Sequence, residues 1–155
     1  MKNTFMLMMS MVMMLTIGVV SCSKDDNEEE QDVDPDVAAK MELTIGIWQQ
    51  TESGAVGPYR VVYYDVYGED GSLREYLVWL DEETFKACSY MDYNWKIEGG
   101  IYYKKAAEAD GYGPGERCLV DGGKFYLGKE SHLAAERVEM TAEMEGWFET
   151  AFKED

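Results

Sequence analysis

The sequence predicts an all-β fold: a small antiparallel barrel or half-open barrel of seven or eight strands, with an amphipathic helix near the C-terminus. Three observations predict it. From Leu43 onward apolar and polar residues alternate, which is the period of a strand with one buried face. Turn signals with glycine recur between short apolar runs, as hairpins require. No helical pattern separates the runs before residue 131, so neighbouring strands should pair as an antiparallel meander.

The alternation is clearest in residues 90–98, where positions 91, 93, 95 and 97 are large and apolar and positions 92, 94, 96 and 98 are polar or charged. One face of this strand must therefore meet a core. Arg60–Tyr67 and Leu73–Leu80 are apolar on both faces and rich in valine and aromatic residues, which is typical of central strands. Three turns are predicted, at Gly68–Ser72, Glu98–Gly100 and Asp121–Gly123. Three further strands are predicted beside them, at Ile101–Lys104, Arg117–Val120 and Lys124–Leu127.

The C-terminal region has two interpretations. Apolar residues recur at helical spacing from Leu133 to Phe152, which predicts an amphipathic helix. If this helix begins near residue 131, the eighth strand is missing and the barrel is open or sealed by the helix. If it begins near residue 142, residues 135–141 are free to form the last strand.

The N-terminus predicts a signal peptide over residues 1–21. Lys2 gives the positive start, and residues 5–20 are almost wholly apolar, which fits a cleaved signal better than a membrane-spanning helix. Val19-Val20-Ser21-Cys22 closely resembles the lipobox of bacterial lipoproteins. The resemblance implies that Cys22 is the first residue of the mature chain. It also implies that Cys22 carries a diacylglycerol thioether and an acyl chain such as palmitate, which together fix the protein to a membrane.

Residues 22–39 are predicted to form a lipidated acidic tether. Eight acids face one base between Lys24 and Asp36, and such a composition cannot bury a core. Lys24–Glu28 resembles the lysine-plus-acid export signal of lipoproteins from Gram-negative gut anaerobes. That resemblance implies a lipid-anchored protein of the outer membrane that faces the cell exterior. The alternative interpretation of the acidic run is a plain soluble spacer.

The predicted domain, residues 40–155, carries a second resemblance. Gly46-Ile47-Trp48 looks like the Gly-x-Trp that opens the first strand of lipocalins and of smaller bacterial lipocalin-like domains, and residues 67–73 and 94–100 resemble two of their later segments. The resemblance implies an eight-stranded barrel whose closed end is plugged by Trp48, with Arg137 opposite it in the last strand. The alternative is a tryptophan that covers the mouth of an unrelated all-β core.

The lipocalin-like resemblance implies a binding module for a small apolar or amphipathic ligand, without a cofactor. The chain has 11 tyrosines, more than a small core requires, because each buried hydroxyl needs a hydrogen-bond partner. They indicate either a ring-lined cavity or platform, or a half-exposed β-surface. The expected ligand contacts are Tyr63, Tyr67, Trp79, Tyr93 and Trp95. We expect a cleft of a few hundred Å³ at the end away from Trp48, where Val61, Val62, Val66, Val78 and Val120 leave room.

Two other functions are open. One is a glycan-binding or accessory module of an outer-membrane uptake system, which would use an aromatic outer face and an outer-membrane protein partner. The other is a structural lipoprotein without a ligand.

Several function classes are not expected. His132 is the single histidine and has no second histidine with which to share a zinc ion, and no nucleophile elbow is present, so neither an enzyme nor a metal site is predicted. Of 31 acids and 14 bases, eight acids and two bases precede Lys40, which leaves 23 acids against 12 bases in the domain and argues against nucleic acid as a partner. Cys88 and Cys118 form either a disulfide or two buried thiols.

Overall fold

The computed structural model describes residues 35–154, with side chains from Lys40 onward. The predicted signal peptide, the lipid site at Cys22 and residues 22–34 of the predicted tether lie outside the described residues. The elements in chain order are α1 (Pro35–Thr44), β1 (Gly46–Val56), β2 (Tyr59–Tyr67), β3 (Ser72–Asp81), β4 (Thr84–Glu98), β5 (Ile101–Ala106), β6 (Glu116–Asp121), β7 (Lys124–Leu127), β8 (His132–Val138), α2 (Ala142–Glu149) and β9 (Phe152–Lys153).

Strands β1 to β8 form a closed antiparallel barrel. Each strand pairs with the next along the chain, and β8 returns to pair with β1. Closure removes the open strand edges that would otherwise be left unpaired. The prediction of an all-β, lipocalin-like barrel with a C-terminal helix is therefore confirmed.

Residues 131–152 are not one helix, so that interpretation is wrong. Residues 132–138 are β8, and the helix begins only at Ala142. Leu133, Ala135 and Arg137 alternate toward the barrel interior, where Ala135 pairs with Gln50 of β1 and Phe125 of β7. The apolar residues of a strand and of the following helix thus produced one apparent helical pattern.

Two apolar clusters lie on opposite sides of the barrel wall. Because side chains alternate across a strand, Trp48, Leu73 and Trp95 point into the barrel. Val62, Val78 and their neighbours point outward and pack against α2. Phe148 of α2 stacks on Tyr76 with ring centroids 3.9 Å apart. This second cluster explains why β2 and β3 are apolar on both faces.

The closed end of the barrel is sealed around Trp48, which is fully buried. Its indole Nε1 donates a hydrogen bond to the Thr44 carbonyl at 2.6 Å. The Arg137 guanidinium lies 5.0 Å from the Trp48 ring centroid and donates to the carbonyls of Leu43 and Ile45. These contacts join the end of α1 to β1 and β8.

Helix α1 begins at Pro35, five residues before the predicted start of the domain at residue 40. Proline is favoured at the first position of a helix because its missing N–H has no helical partner there. The end of the predicted tether is therefore helical, and Met41 near the end of α1 packs against the interior cluster.

Cys88 and Cys118 are free thiols in the structure. Cys88 belongs to the outer cluster under α2, whereas Cys118 packs against the interior cluster. The barrel wall lies between them, so the fold described here does not pair the two thiols. Burial raises the pKa of the Cys88 thiol to about 12, which keeps it protonated and unreactive.

Candidate ligand-binding cavity

A cavity of about 560 Å³ lies in the barrel, toward the end away from Trp48. Its size falls within the range of small-molecule sites. One part of its lining is aromatic or aliphatic, and that part consists of Tyr67, Tyr102, Phe125, Leu127, Leu133 and Ala135. The other part is polar and includes Gln50, Asp65, Lys104 and Glu116. The cavity therefore offers both apolar surface and charge.

Strand register assembles the polar part. Asp65 and Glu75 stand directly opposite each other on β2 and β3, so both carboxylates face the barrel interior. Gln50 lies two residues after Trp48 in β1 and therefore on the same inward face. Because Trp48 pairs directly with Asp65, Gln50 lies beside the two carboxylates. Lys104 reaches the same cluster from β5, where it pairs with Trp95 of β4. We call Gln50, Asp65, Glu75 and Lys104 the polar cluster.

In the polar cluster, the Gln50 amide and the Lys104 ammonium are the groups that donate hydrogen bonds to the two carboxylates. The Gln50 Nε2 donates toward both Asp65 oxygens and toward Glu75 Oε2, each at 3.1 Å. The Lys104 Nζ lies 3.1 Å from Glu75 Oε2 and 4.0 Å from the Tyr93 ring centroid. Lys104 thus forms its ion pair with Glu75, and the hydrogen bonds to Asp65 come from Gln50.

Asp65 is the most perturbed acid in the cavity. Only 7% of its surface is exposed. Burial, followed by repulsion from the Glu75 carboxylate, raises the pKa of Asp65 to about 7, although the Gln50 hydrogen bond and the Lys104 charge oppose this rise. Desolvation of a carboxylate favours its neutral form, so Asp65 exchanges its proton near neutral pH.

Tyr67 and Tyr102 form a hydroxyl pair in the cavity wall. Their oxygens are 3.3 Å apart, and the two side chains are 4% and 8% exposed. The Tyr67 ring meets Trp95 edge to face, with centroids 5.0 Å apart. Burial raises the pKa of both hydroxyls, so both stay protonated and can donate.

The five sequence-predicted ligand contacts are not brought together around the cavity. Tyr67 lines it, and Tyr93 lies beneath the Lys104 ammonium. Trp95 is buried in the interior cluster behind Tyr67. Tyr63 and Trp79 are on the inward faces of β2 and β3 but outside the cavity lining.

The valines predicted to leave room also lie away from the cavity lining. Val62 and Val78 face the opposite way, under α2. Sequence reasoning missed Gln50, Asp65, Glu75 and Lys104. The available signal was Asp65 itself, a lone acid within the otherwise apolar run from Val61 to Tyr67.

Within residues 35–154, no helix is long and apolar enough to cross a membrane. In the same range, no group of three histidine, cysteine, aspartate or glutamate side chains is arranged to hold a metal ion. No protein-family model matches the chain, and no curated protein or solved structure matches it.

Proposed function

We propose that the chain is a lipid-anchored binding protein that holds one small amphipathic ligand inside its barrel. The cavity of about 560 Å³, with an apolar wall beside a polar cluster, carries this proposal. A wholly apolar ligand would displace water from Asp65 and Lys104 without replacing its hydrogen bonds, which is costly. An amphipathic ligand fits both surfaces.

The alternative of a glycan-binding or accessory module finds less support. Such a module would need an exposed aromatic face. The outward rings of β3 and β4 are instead stacked against α2, through Tyr76 on Phe148 and Phe85 on Trp147. The chain itself covers this face. The partly exposed rings of Tyr103 and Tyr112 meet edge to face and so form no flat platform, which favours the cavity as the binding site.

A structural lipoprotein without a ligand also explains less. Burying two carboxylates with one ammonium costs free energy, and a barrel selected only for stability would gain by replacing Asp65 with an apolar residue. In a binding protein, the polar cluster can hydrogen-bond to the polar group of the ligand.

The proposal includes attachment through a lipid on Cys22, in the outer membrane and facing the exterior. The lipobox-like Val19–Cys22 and the acidic Lys24–Glu28 segment support this location. Helix α1 joins the barrel at its closed end, beside Trp48. The cavity lies toward the other end, where α1 does not cover it.

Native mass spectrometry of the full chain, purified in a mild non-ionic detergent, tests the binding proposal. We expect a small molecule bound in a 1:1 complex. Leu133→Trp fills the cavity from β8 and should remove this adduct. Leu119→Trp is the matched control, because Leu119 is 48% exposed and outside the cavity lining, and it should keep the adduct. Equal adducts in both variants would contradict the proposal.

A further inference from the structure

The cavity is electronegative. Glu52, Asp65 and Glu116 line it, against Lys104 and the exposed His132. Lys104 pairs with Glu75. Among the residues that the structure describes, no lysine or arginine forms an ion pair with Asp65. A concave site lined by one sign of charge attracts ligands of the opposite sign.

When Asp65 is ionised, the polar cluster has too few hydrogens for its carboxylate oxygens. The Gln50 amide has two N–H hydrogens, yet three carboxylate oxygens lie 3.1 Å from its nitrogen. Four lone-pair sites on the Asp65 carboxylate are therefore served by at most two hydrogens, in a side chain only 7% exposed. An ammonium group supplies both the missing hydrogens and the missing charge.

The tyrosine pair is an independent observation that also points to a ligand. Two hydroxyls carry two hydrogens, and the bond between Tyr67 and Tyr102 uses one of them. The other hydrogen has no acceptor within the described part of the chain, although both side chains are more than nine-tenths buried and line the cavity. A buried donor without a partner is unfavourable, and an acceptor atom on a ligand would satisfy it.

We propose that the ligand is a protonated amine with an apolar, ring-containing body and a hydroxyl group. The ammonium group donates to Asp65, and the hydroxyl oxygen accepts from the Tyr67–Tyr102 pair. The body packs on Phe125 and Leu133 of the apolar wall. This inference rests on the proposed binding function and deepens it.

Isothermal titration calorimetry with the full chain in non-ionic micelles tests the inference, with empty micelles as the blank. The probes share one phenyl ring and differ in their polar groups. Phenylethanolamine has both the ammonium and the hydroxyl group, phenethylamine lacks the hydroxyl, and mandelate replaces the ammonium with a carboxylate. We expect phenylethanolamine to bind most tightly and mandelate at least about tenfold more weakly than phenethylamine, since hydrogen bonds to charged groups are strong.

Two variants assign the contacts. Asp65→Asn keeps the size of the side chain and should weaken both amines by about tenfold or more. Replacing both Tyr67 and Tyr102 with phenylalanine removes both hydroxyls, and with them the free hydrogen, and should weaken phenylethanolamine several-fold while leaving phenethylamine unchanged. Glu136→Gln is the matched control, because Glu136 is exposed and pairs with Gln49 on the outer face of the barrel. It should change neither affinity.

The outcomes separate this inference from the binding proposal. If the wild type binds amines and mandelate equally, or if Asp65→Asn and Glu136→Gln behave alike, the amine assignment is overturned. The binding proposal then still stands on the mass-spectrometric adduct and its loss in Leu133→Trp. If that adduct is absent and none of the probes binds, both are overturned.

Discussion

Replacing Asp65 with asparagine should change how stability depends on pH. The Asp65 carboxyl has a pKa of about 7 in the fold, raised from 3.8 mainly by burial and by Glu75. The folded state therefore binds one more proton than the unfolded state between about pH 4 and pH 7. Stability from this group is present at low pH and is lost as pH rises, by about 1.4 kcal/mol per pH unit in that window. Asparagine does not titrate and removes this loss.

Urea unfolding of the full chain at pH 5 and pH 8 measures the effect. Two pH units of the window lie between these conditions. The free energy of unfolding of Asp65→Asn should therefore rise by about 3 kcal/mol relative to that of wild type on going from pH 5 to pH 8. The exposed Glu136→Gln should show no comparable gain. A difference between Asp65→Asn and wild type that stays constant within about 0.5 kcal/mol would refute the reasoning about the buried carboxyl.

Three further perturbations test other parts of the structure. Trp48→Ala should lower the free energy of unfolding by about 3 to 5 kcal/mol, because it empties the closed end and frees the Thr44 carbonyl; a loss under about 1 kcal/mol in urea unfolding would contradict the plug. Glu82→Gly should raise the free energy of unfolding by about 1 kcal/mol, because Glu82 has a φ of 49°, which glycine adopts without strain. An unchanged urea midpoint would show that the turn is unstrained. Cys22→Ala should abolish incorporation of labelled fatty acid, and equal label in the variant would exclude the lipid site.

The hairpins could be predicted where their turns carry glycine. Gly71 has a φ of 77°, and Gly99 and Gly100 are also in the left-handed region, as the sequence indicated. The turn between β3 and β4 was not predicted, because Glu82 and Glu83 take positive φ values there without glycine or asparagine. As a result, the first six residues of β4, Thr84–Ser89, were not assigned to a strand.

The polar cluster could not be predicted, because its members come from four strands. Alternation alone assigns inward positions to apolar residues, and it gives no sign that Asp65 and Glu75 share one register position. Gln50 faces the interior by alternation from Trp48, but its hydrogen bonds to Asp65 and Glu75 depend on the tertiary packing of three strands. For the same reason, the sequence could not show that the outward rings of β3 and β4 are covered by α2 and not by a ligand.

Fluorescence titration of a neutral, environment-sensitive dye tests the binding cavity most directly. The full chain and its Leu133→Trp and Leu119→Trp variants are compared in the same micelles. We predict saturable 1:1 binding to wild type and to Leu119→Trp, and loss of that binding in Leu133→Trp. Binding that is absent from wild type at tens of micromolar protein, or equal in all three proteins, would contradict a ligand site inside the barrel.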